Sequence, residues 1–304
     1  MEIINLLNYK ETRFNTAIAL GNFDGIHIGH QQLIKTMITK SKELGLKSSL
    51  LLFENHTKAT IDSNKPKMIT TNEQKFKIAE DLGVDIIYIV KFDEKIMKLS
   101  ADEFIKDIII EKMNGGLVVV GFDYRFGYKA SGNSEYLLEL GKKYNIGVEV
   151  LNPIYDNNEI ISSTTIRELI MDGDMVKVSE ILGRPYSIIG QVIHGKNRGN
   201  KLGFPTANIE ADTNYVIPRN GVYVTNSIVK GKRYVSATNI GYNPTFNEDI
   251  LKIETHILDF EGTIYDEMIE IEFIEFLRDD MKFTNKEDLI NQMKLDIDMI
   301  KQRY

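Results

Sequence analysis

A chain of 304 residues with a net charge of -7 and a pI near 5.4 is long enough for two domains that each bury a core, and it lacks the basic excess of a broad nucleic-acid footprint. Cysteine is absent, which excludes disulfides, thiolate nucleophiles and Cys-ligated metals. No apolar run approaches the ~20 residues of a spanning helix, and Glu2, Asn5 and Asn8 interrupt any leader-like pattern, so the expectation is an unexported, cytoplasmic protein without membrane or nucleic-acid partners.

From Thr16 to about Val150, apolar β-type runs alternate with helical patterns, which predicts an α/β domain with a parallel sheet and helices on both faces. The expected strands are 16–20, 48–53, 85–90, 117–120 and 147–150. Thr71-x-x-Gln74 and Ser100-x-x-Glu103 read as capping boxes, and Gly45 and Gly83 as helix stops. In such a sheet ligands bind beyond the carboxyl ends of the strands. The first of these ends carries Leu20 to Gln32, LGNFDGIHIGHQQ. Gly21, Gly25 and Gly29 let backbone approach a ligand, and a helix follows with Leu33, Ile34, Met37, Ile38 and Leu44 on one face. Its free N–H groups attract an anion, here expected to be phosphate, with His27 and His30 as further donors. The same two histidines would also serve as a plain helix cap.

Three further strand-end or helix-start strings stand out. Phe53-Glu54-Asn55-His56-Thr57 follows the second strand, and Gly121-Phe122-Asp123-Tyr124-Arg125-Phe126-Gly127 follows the fourth and continues to Gly132. Ile161-Ser162-Ser163-Thr164-Thr165-Ile166-Arg167 opens a helix that stops at Gly173, its hydroxyls suited both to N-capping and to holding phosphate. A further helix, 175–182, ends at Gly183.

Past Arg184-Pro185 the pattern changes to short β-rich runs at 187–193, 221–227, 233–240, 252–259 and 267–276, which predicts an antiparallel sheet or small barrel closed by an amphipathic helix over 286–301. The domain boundary is therefore set at 183, giving domains 1–183 and 184–304. A basic glycine loop from Gly195 through Lys201 and Gly203 runs into Phe204-Pro205-Thr206-Ala207-Asn208, where Thr206 and Asn208 offer two oxygen ligands suited to Mg²⁺. Alternation in Ile253-Glu254-Thr255-His256 puts Glu254 and His256 on one strand face; water-facing polarity would account for that pattern equally well.

The string Gly21 to Gln31, with its His27-x-Gly29-His30, resembles the signature of the nucleotidylyltransferases, and in particular that of the bacterial bifunctional FAD synthetases, which join riboflavin kinase to FMN adenylyltransferase. Gly121 to Gly127 is similar to that family's Gly-x-Asp-Phe-Arg-Phe-Gly, and Ser162 to Arg167 to its second phosphate motif. Gly203 to Asn208 resembles the riboflavin kinase signature, and Leu277 to Phe283 the flavin-site segment. At Phe53 to Thr57 the family's Phe-x-Pro-His-Pro keeps His56 and loses both prolines. The resemblance implies a Rossmann-like nucleotidylyltransferase domain and a riboflavin kinase-like barrel. It implies phosphorylation of riboflavin by ATP to FMN and ADP, then adenylyl transfer from ATP to FMN giving FAD and pyrophosphate. Glu254 is then the base and Thr206 and Asn208 the Mg²⁺ ligands. His27, His30, Gly21, Phe23, Gly25, Gly29, Ser163, Thr164, Arg167, Gly195, Lys201 and Gly203 would hold ATP or its phosphates, and His56, Asp123, Arg125 and Arg278 the flavins. His256 is left structural. The competing expectations are a chain with only the kinase half active and a flavin-binding sensor or storage protein.

Overall fold

The computed structural model describes residues 1–6, 14–54, 66–156, 159–195, 203–243 and 250–304. They form two compact units, Met1–Ser163 and Thr164–Tyr304.

In the first unit six strands form one parallel sheet: β1 (Glu2–Asn5), β2 (Thr16–Leu20), β3 (Lys47–Phe53), β4 (Ile86–Val90), β5 (Gly115–Gly121) and β6 (Gly147–Leu151). Their order is β1-β4-β3-β2-β5-β6. Strand β2 is buried along its whole length, because both faces of the sheet are covered. Ala17 and Ala19 pack with Leu50, Leu52 and Val119 beneath Leu33, Ile34, Met37 and Ile38 of helix α1 (Ile28–Leu44). Ile18 and Leu20 face the other way, with Leu51, Tyr88, Val118 and Val120, against Phe104, Ile105, Ile108, Leu137 and Leu140. Two-sided burial is why these strands read as continuous apolar runs. The remaining helices are α2 (Asn72–Asp81), α3 (Glu94–Lys98), α4 (Ala101–Glu103), which continues as a π-helical stretch Phe104–Lys112, and α5 (Ser134–Tyr144). Both expected capping boxes are complete, Thr71 with Gln74 and Ser100 with Glu103, and Gly45 closes α1 at φ 68°. Strand β1, the π-helical widening and the small hairpin β7 (Tyr155–Asp156) with β8 (Glu159–Ile160) add to the expected elements.

After β2 the chain adds β3 and β4 on one side and then β5 and β6 on the other. The carboxyl end of β2 is therefore the point where strand order reverses, the usual ligand crevice of an open parallel sheet.

The second unit holds most of helix α6 (Ser163–Asp172), α7 (Met175–Leu182), a barrel and helix α8 (Lys286–Arg303). The barrel strands are β9 (Tyr186–Ile193), β10 (Ala207–Ala211), β11 (Gly221–Val229), β12 (Lys232–Asn243), β13 (Ile250–Ile257) and β14 (Met268–Arg278), closed in the order β10-β13-β12-β11-β14-β9. Every pairing is antiparallel. Alternate residues fill the interior, among them Tyr186, Ile188, Tyr223, Ile253, Ile271 and Phe273. Thr225, Ser227, Ser236, Thr238 and Thr255 are also sealed inside, where they bond to one another at 2.7–2.9 Å, so the interior polarity is satisfied. On the outside, α8 lays Ile297 and Ile300 over Val224, Val235, Leu258 and Leu277.

The two compact units part at Ser163, ahead of the expected domain boundary at 183, because α7 packs on β9 and β14. Its Met175, Val178, Ile181 and Leu182 are buried, and removing such a helix forfeits roughly 1.5–3 kcal/mol per buried side chain. A fragment 164–304 should therefore unfold cooperatively, and a fragment 184–304 should melt at least about 10 °C lower or aggregate. Thermal denaturation followed by circular dichroism checks this; equal melting temperatures would show that α7 contributes nothing to the barrel.

Candidate active sites

The loop leaving β2 carries three residues in the left-handed region, Phe23 (φ 47°), Gly25 (φ 84°) and Ile26 (φ 39°). For the two that carry side chains this costs on the order of 1–3 kcal/mol each, so the surroundings must hold them. They do so through Asp24, which is 1% exposed. Its carboxylate accepts from the backbone N–H of Ile69 at 3.0 Å and of Thr70 at 3.2 Å, and its carbonyl accepts from Ser163 Oγ at 2.9 Å. Thr70 Oγ1 accepts in turn from the Gly25 N–H at 3.0 Å, and Gln31 Nε2 donates to Ile26 O at 3.0 Å.

The loop delivers His27 to the N-cap of α1, where Nδ1 accepts from the His30 N–H at 3.4 Å. The cap expected from sequence is thus real. The two rings also stack, with centroids 3.7 Å apart and planes at 23°, and Phe23 lies 5.3 Å from His30. His30 Nδ1 is sealed from solvent and has no hydrogen-bond partner among the described residues. Burial pushes the His30 pKa well below the usual histidine range, with His27 and Lys75 adding to the effect, so the ring is neutral at pH 7. Gly29 lies against His27: a Cβ there would stand 3.1 Å from ring atoms Cε1 and Nδ1. Gly21 is similarly close to the Phe23 ring, at 3.3 Å.

Asp123 and Arg125 follow β5, the strand beside β2, and both are exposed. Tyr124 and Phe126, which alternate with them, stack at 5.6 Å, and Phe126 exchanges backbone bonds with Gly132 at 3.1 and 2.9 Å, so the aromatic residues anchor the loop and leave the charged ones outward. Thr164 and Arg167 open α6 in the second unit. His56 and Lys201 lie outside the described residues.

In the barrel, strand register builds the second site. Asn208 on β10 stands directly opposite Glu254 on β13, and Glu254 stands opposite Asn239 on β12. Opposed residues share a face with Cβ atoms about 5 Å apart, so Asn208, Glu254 and Asn239 form one row on the outer wall while Ile253, Thr255 and Ile257 point inward. Among the described residues none hydrogen-bonds or ion-pairs with the Glu254 carboxylate. Asn208 packs on bare backbone, since a Cβ on Gly195 would fall 2.2 Å from its Nδ2. Thr206 immediately precedes β10. His256 shares a 2.7 Å hydrogen bond with Pro205 O and meets the Phe204 ring edge-on; it holds the segment before Thr206, the structural part expected of it. Gly203 takes φ 83° in open space. Among the described residues no group of three or more His, Cys, Asp or Glu is placed to hold a metal ion.

Arg278 is occupied. Its guanidinium binds Asp296 of α8 through Nε at 3.0 Å and Nη2 at 2.7 Å, and Nη1 donates to Asp279 O at 2.9 Å. Asp279 pairs with Arg219, and Asp280 accepts from Asn239 Nδ2 at 2.7 Å. Asp24, Thr70, Asn239 and Asp280 were singled out by no sequence argument; Asp24 lies within the glycine string and Asp280 within the 277–283 string, whereas Thr70 and Asn239 are brought in only by tertiary pairing.

Comparison with known proteins matches residues 9–165 to the family model for FAD synthetase and residues 182–304 to that for riboflavin kinase. A bifunctional riboflavin kinase/FMN adenylyltransferase of Buchnera aphidicola subsp. Schizaphis graminum is 37% identical, covering 98% of this chain and 96% of its own. One from Listeria monocytogenes is 38% identical over 94% and 91%. The chain belongs to the bifunctional riboflavin kinase/FMN adenylyltransferase family. It is an enzyme of FAD biosynthesis, with a transferase in each half. A solved structure titled a macrolide-efflux protein, from Streptococcus pneumoniae, is 29% identical with a TM-score of 0.91, covering 99% of both chains. No helix among the described residues here is long and apolar enough to cross a membrane.

Two outcomes follow from the geometry at His27 and His30. Gly29→Ala presses on the His27 ring, and an ångström of displacement at a reacting centre costs up to about 100-fold in rate. FAD formation from supplied FMN should fall by about 10-fold or more in this variant while riboflavin phosphorylation is unchanged; equal rates of FAD formation in a coupled pyrophosphate assay would rule the contact out. The second concerns pH. The unfolded chain protonates His30 near the ordinary histidine value of 6.5 and the folded chain does so well below it. Stability is therefore full above the unfolded value and is lost as pH falls toward the folded one. His30→Gln should reduce the slope of unfolding free energy between about pH 7 and pH 5, measured by urea titration.

Proposed function

We propose that the first unit binds ATP through the loop after β2 and transfers its adenylyl group to FMN, and that the barrel transfers the γ-phosphoryl group of ATP to riboflavin. The observation that carries the reading is the placement of Glu254 directly opposite Asn208, with its carboxylate bonded to no described residue. A ribityl 5′-hydroxyl is a poor nucleophile at neutral pH, and a positioned carboxylate removes its proton as the oxygen bonds to the γ-phosphorus and ADP leaves. Thr206 and Asn208 would hold Mg²⁺, which when bound neutralises charge on the transferring phosphoryl group. Gly195, Lys201 and Gly203 serve the nucleotide phosphates of this step. Arg278 serves the flavin indirectly, by tying the segment 278–280 to α8.

In the adenylyl step the FMN phosphate is already ionised, so the first site works without a base. His27, His30 and the N–H groups at the start of α1 face the triphosphate, with Gly21, Phe23, Gly25 and Gly29 shaping the loop; Ser163, Thr164 and Arg167 supply the second phosphate motif. The Nδ1 of His30, sealed and unpaired among the described residues, supports this, since buried polar atoms ordinarily find partners. His56, Asp123 and Arg125 are assigned to FMN. As catalytic modules we take 1–183 and 184–304, working in the cytoplasm on small-molecule substrates, without nucleic-acid partners. A storage protein would have no use for an uncommitted carboxylate beside Asn208.

Chromatography of riboflavin incubated with Mg-ATP separates the two steps. Glu254→Gln should lose FMN formation by about 10²- to 10⁴-fold and still make FAD from supplied FMN. His30→Ala should slow FAD formation by about 10²-fold, so that FMN accumulates. Undiminished phosphorylation in the first variant or undiminished FAD formation in the second would sink the corresponding assignment.

A further inference from the structure

Helix α6 is held at both ends. Its first residue, Ser163, donates to Asp24 O at 2.9 Å. At the other end Gly173, in the left-handed region at φ 83°, donates to Ile170 O at 3.1 Å while the Asp174 N–H reaches Leu169 O at 3.0 Å, a glycine stop of the common kind. Within the second unit that glycine lies bare against the barrel. A Cβ built there would stand 2.8 Å from both Cγ and Cδ of Arg219 and 3.1 Å from Tyr223 Oη. Arg219, which precedes β11, is fixed in its turn. Its guanidinium lies over the Phe276 ring at 4.1 Å and pairs with Asp279, and its carbonyl accepts from Tyr223 Oη at 2.7 Å. Its side chain is 40% exposed, and an ion pair that open to water contributes little to stability and ordinarily leaves the arginine stem mobile. Here the stem is laid along the end of α6.

We propose that Arg219, a residue of the barrel, is a positioning residue for adenylyl transfer: by bracing the carboxyl end of α6 it sets the aim of Thr164 and Arg167 at the start of the same helix. The inference rests on the reading of Thr164 and Arg167 as a phosphate motif. Ile166 and Ile170 bury one side of α6, but apolar burial is non-directional; the contact of Gly173 with Arg219 supplies the direction. The helix has ten residues and spans about 15 Å. With its hydrogen bonds intact it moves as a rod, so play at Gly173 becomes a tilt about the Ser163 bond. Arg167 stands one turn from that pivot, where the shift arrives reduced to less than half. A full ångström at a reacting centre costs up to about 100-fold, so the loss expected from freeing the far end is about 10-fold.

The test is steady-state kinetics on the full chain, with FAD formation from supplied FMN and Mg-ATP and phosphorylation of riboflavin measured on the same samples. In Arg219→Ala, kcat for FAD formation should fall by about 10-fold with KM for FMN unchanged, the signature of a contact realised in the transition state. Phosphorylation should fall by no more than about twofold, since the ion pair removed is an exposed one. Arg219→Lys keeps Cγ, Cδ and the charge, and should restore most of the FAD rate. Gly173→Ala drives a methyl into the same stem from a backbone that side chains avoid, and should reproduce the loss with Arg219 intact. FAD formation at the wild-type rate in Arg219→Ala would overturn the proposal. So would equal losses in both activities, which mark a merely structural arginine, or a lysine variant as slow as the alanine one. Arg167→Ala is run in parallel: undiminished FAD formation there removes the phosphate motif and this inference with it, whereas a loss there beside an unimpaired Arg219→Ala overturns the bracing alone.

Discussion

The buried carboxylate of Asp24 holds the adenylyl-transfer loop in shape. Two residues with side chains, Phe23 and Ile26, sit in left-handed conformations there, and a loop left to itself would relax out of them. Asp24 prevents this by accepting the backbone N–H groups of Ile69 and Thr70 while its own carbonyl accepts from Ser163. A carboxylate with both its charge and its hydrogen bonds enclosed is costly to disturb. The stacked histidines at the start of α1 inherit that rigidity. Their geometry follows from where Ile26 lets the chain turn, and the bare face of Gly29 leaves just enough room for the His27 ring.

The barrel achieves the same fixity by pairing. Side chains on an antiparallel strand alternate strictly, so placing Ile253, Thr255 and Ile257 inside forces Glu254 and His256 outside. The β10–β13 and β12–β13 registers then fix which residues flank Glu254, and a slip of one residue would replace Asn208 by Ala207 or Ile209, or Asn239 by Thr238 or Ile240. The enclosed ladder of five hydroxyls contributes to specifying that register, because a shifted strand would leave buried hydroxyls without partners.

Legibility in the sequence tracked how local the cause was. The central strands were readable because burial on both faces makes them Val-, Ile- and Leu-rich, and the capping boxes because they join residues three apart. Strand β1 was hidden by Glu2 and Asn5 at its ends, and β10 by its threonine-to-asparagine motif, which reads as a ligand loop. The π-helical stretch was invisible: Ile105, Ile108 and Ile109 satisfy an ordinary helical period, and nothing in them signals wider hydrogen-bond rings. Within the sites, His27, His30, Asn208 and Glu254 stood in recognisable strings, whereas Asn239 acquires meaning only through pairing with Glu254 and Asp280, 15 and 41 positions away. Arg278 shows the converse. Its string suggested a ligand contact, and the fold commits it to Asp296, a carboxylate that would otherwise be buried without a counter-charge.

What distinguishes the barrel's reactive face from the rest of its wall is as much missing atoms as present ones. Gly195 leaves the room that the Asn208 amide fills, and Gly241 leaves the room between Asp280 and Asn239. At Gly195 any Cβ would collide with the amide at 2.2 Å, which would drive Asn208 out of line with Glu254. Neither glycine takes the left-handed conformation that usually explains the residue. Gly241 lies within a strand, and neither glycine needs a backbone conformation that other residues avoid, so the demand for glycine there comes from the space beside the row.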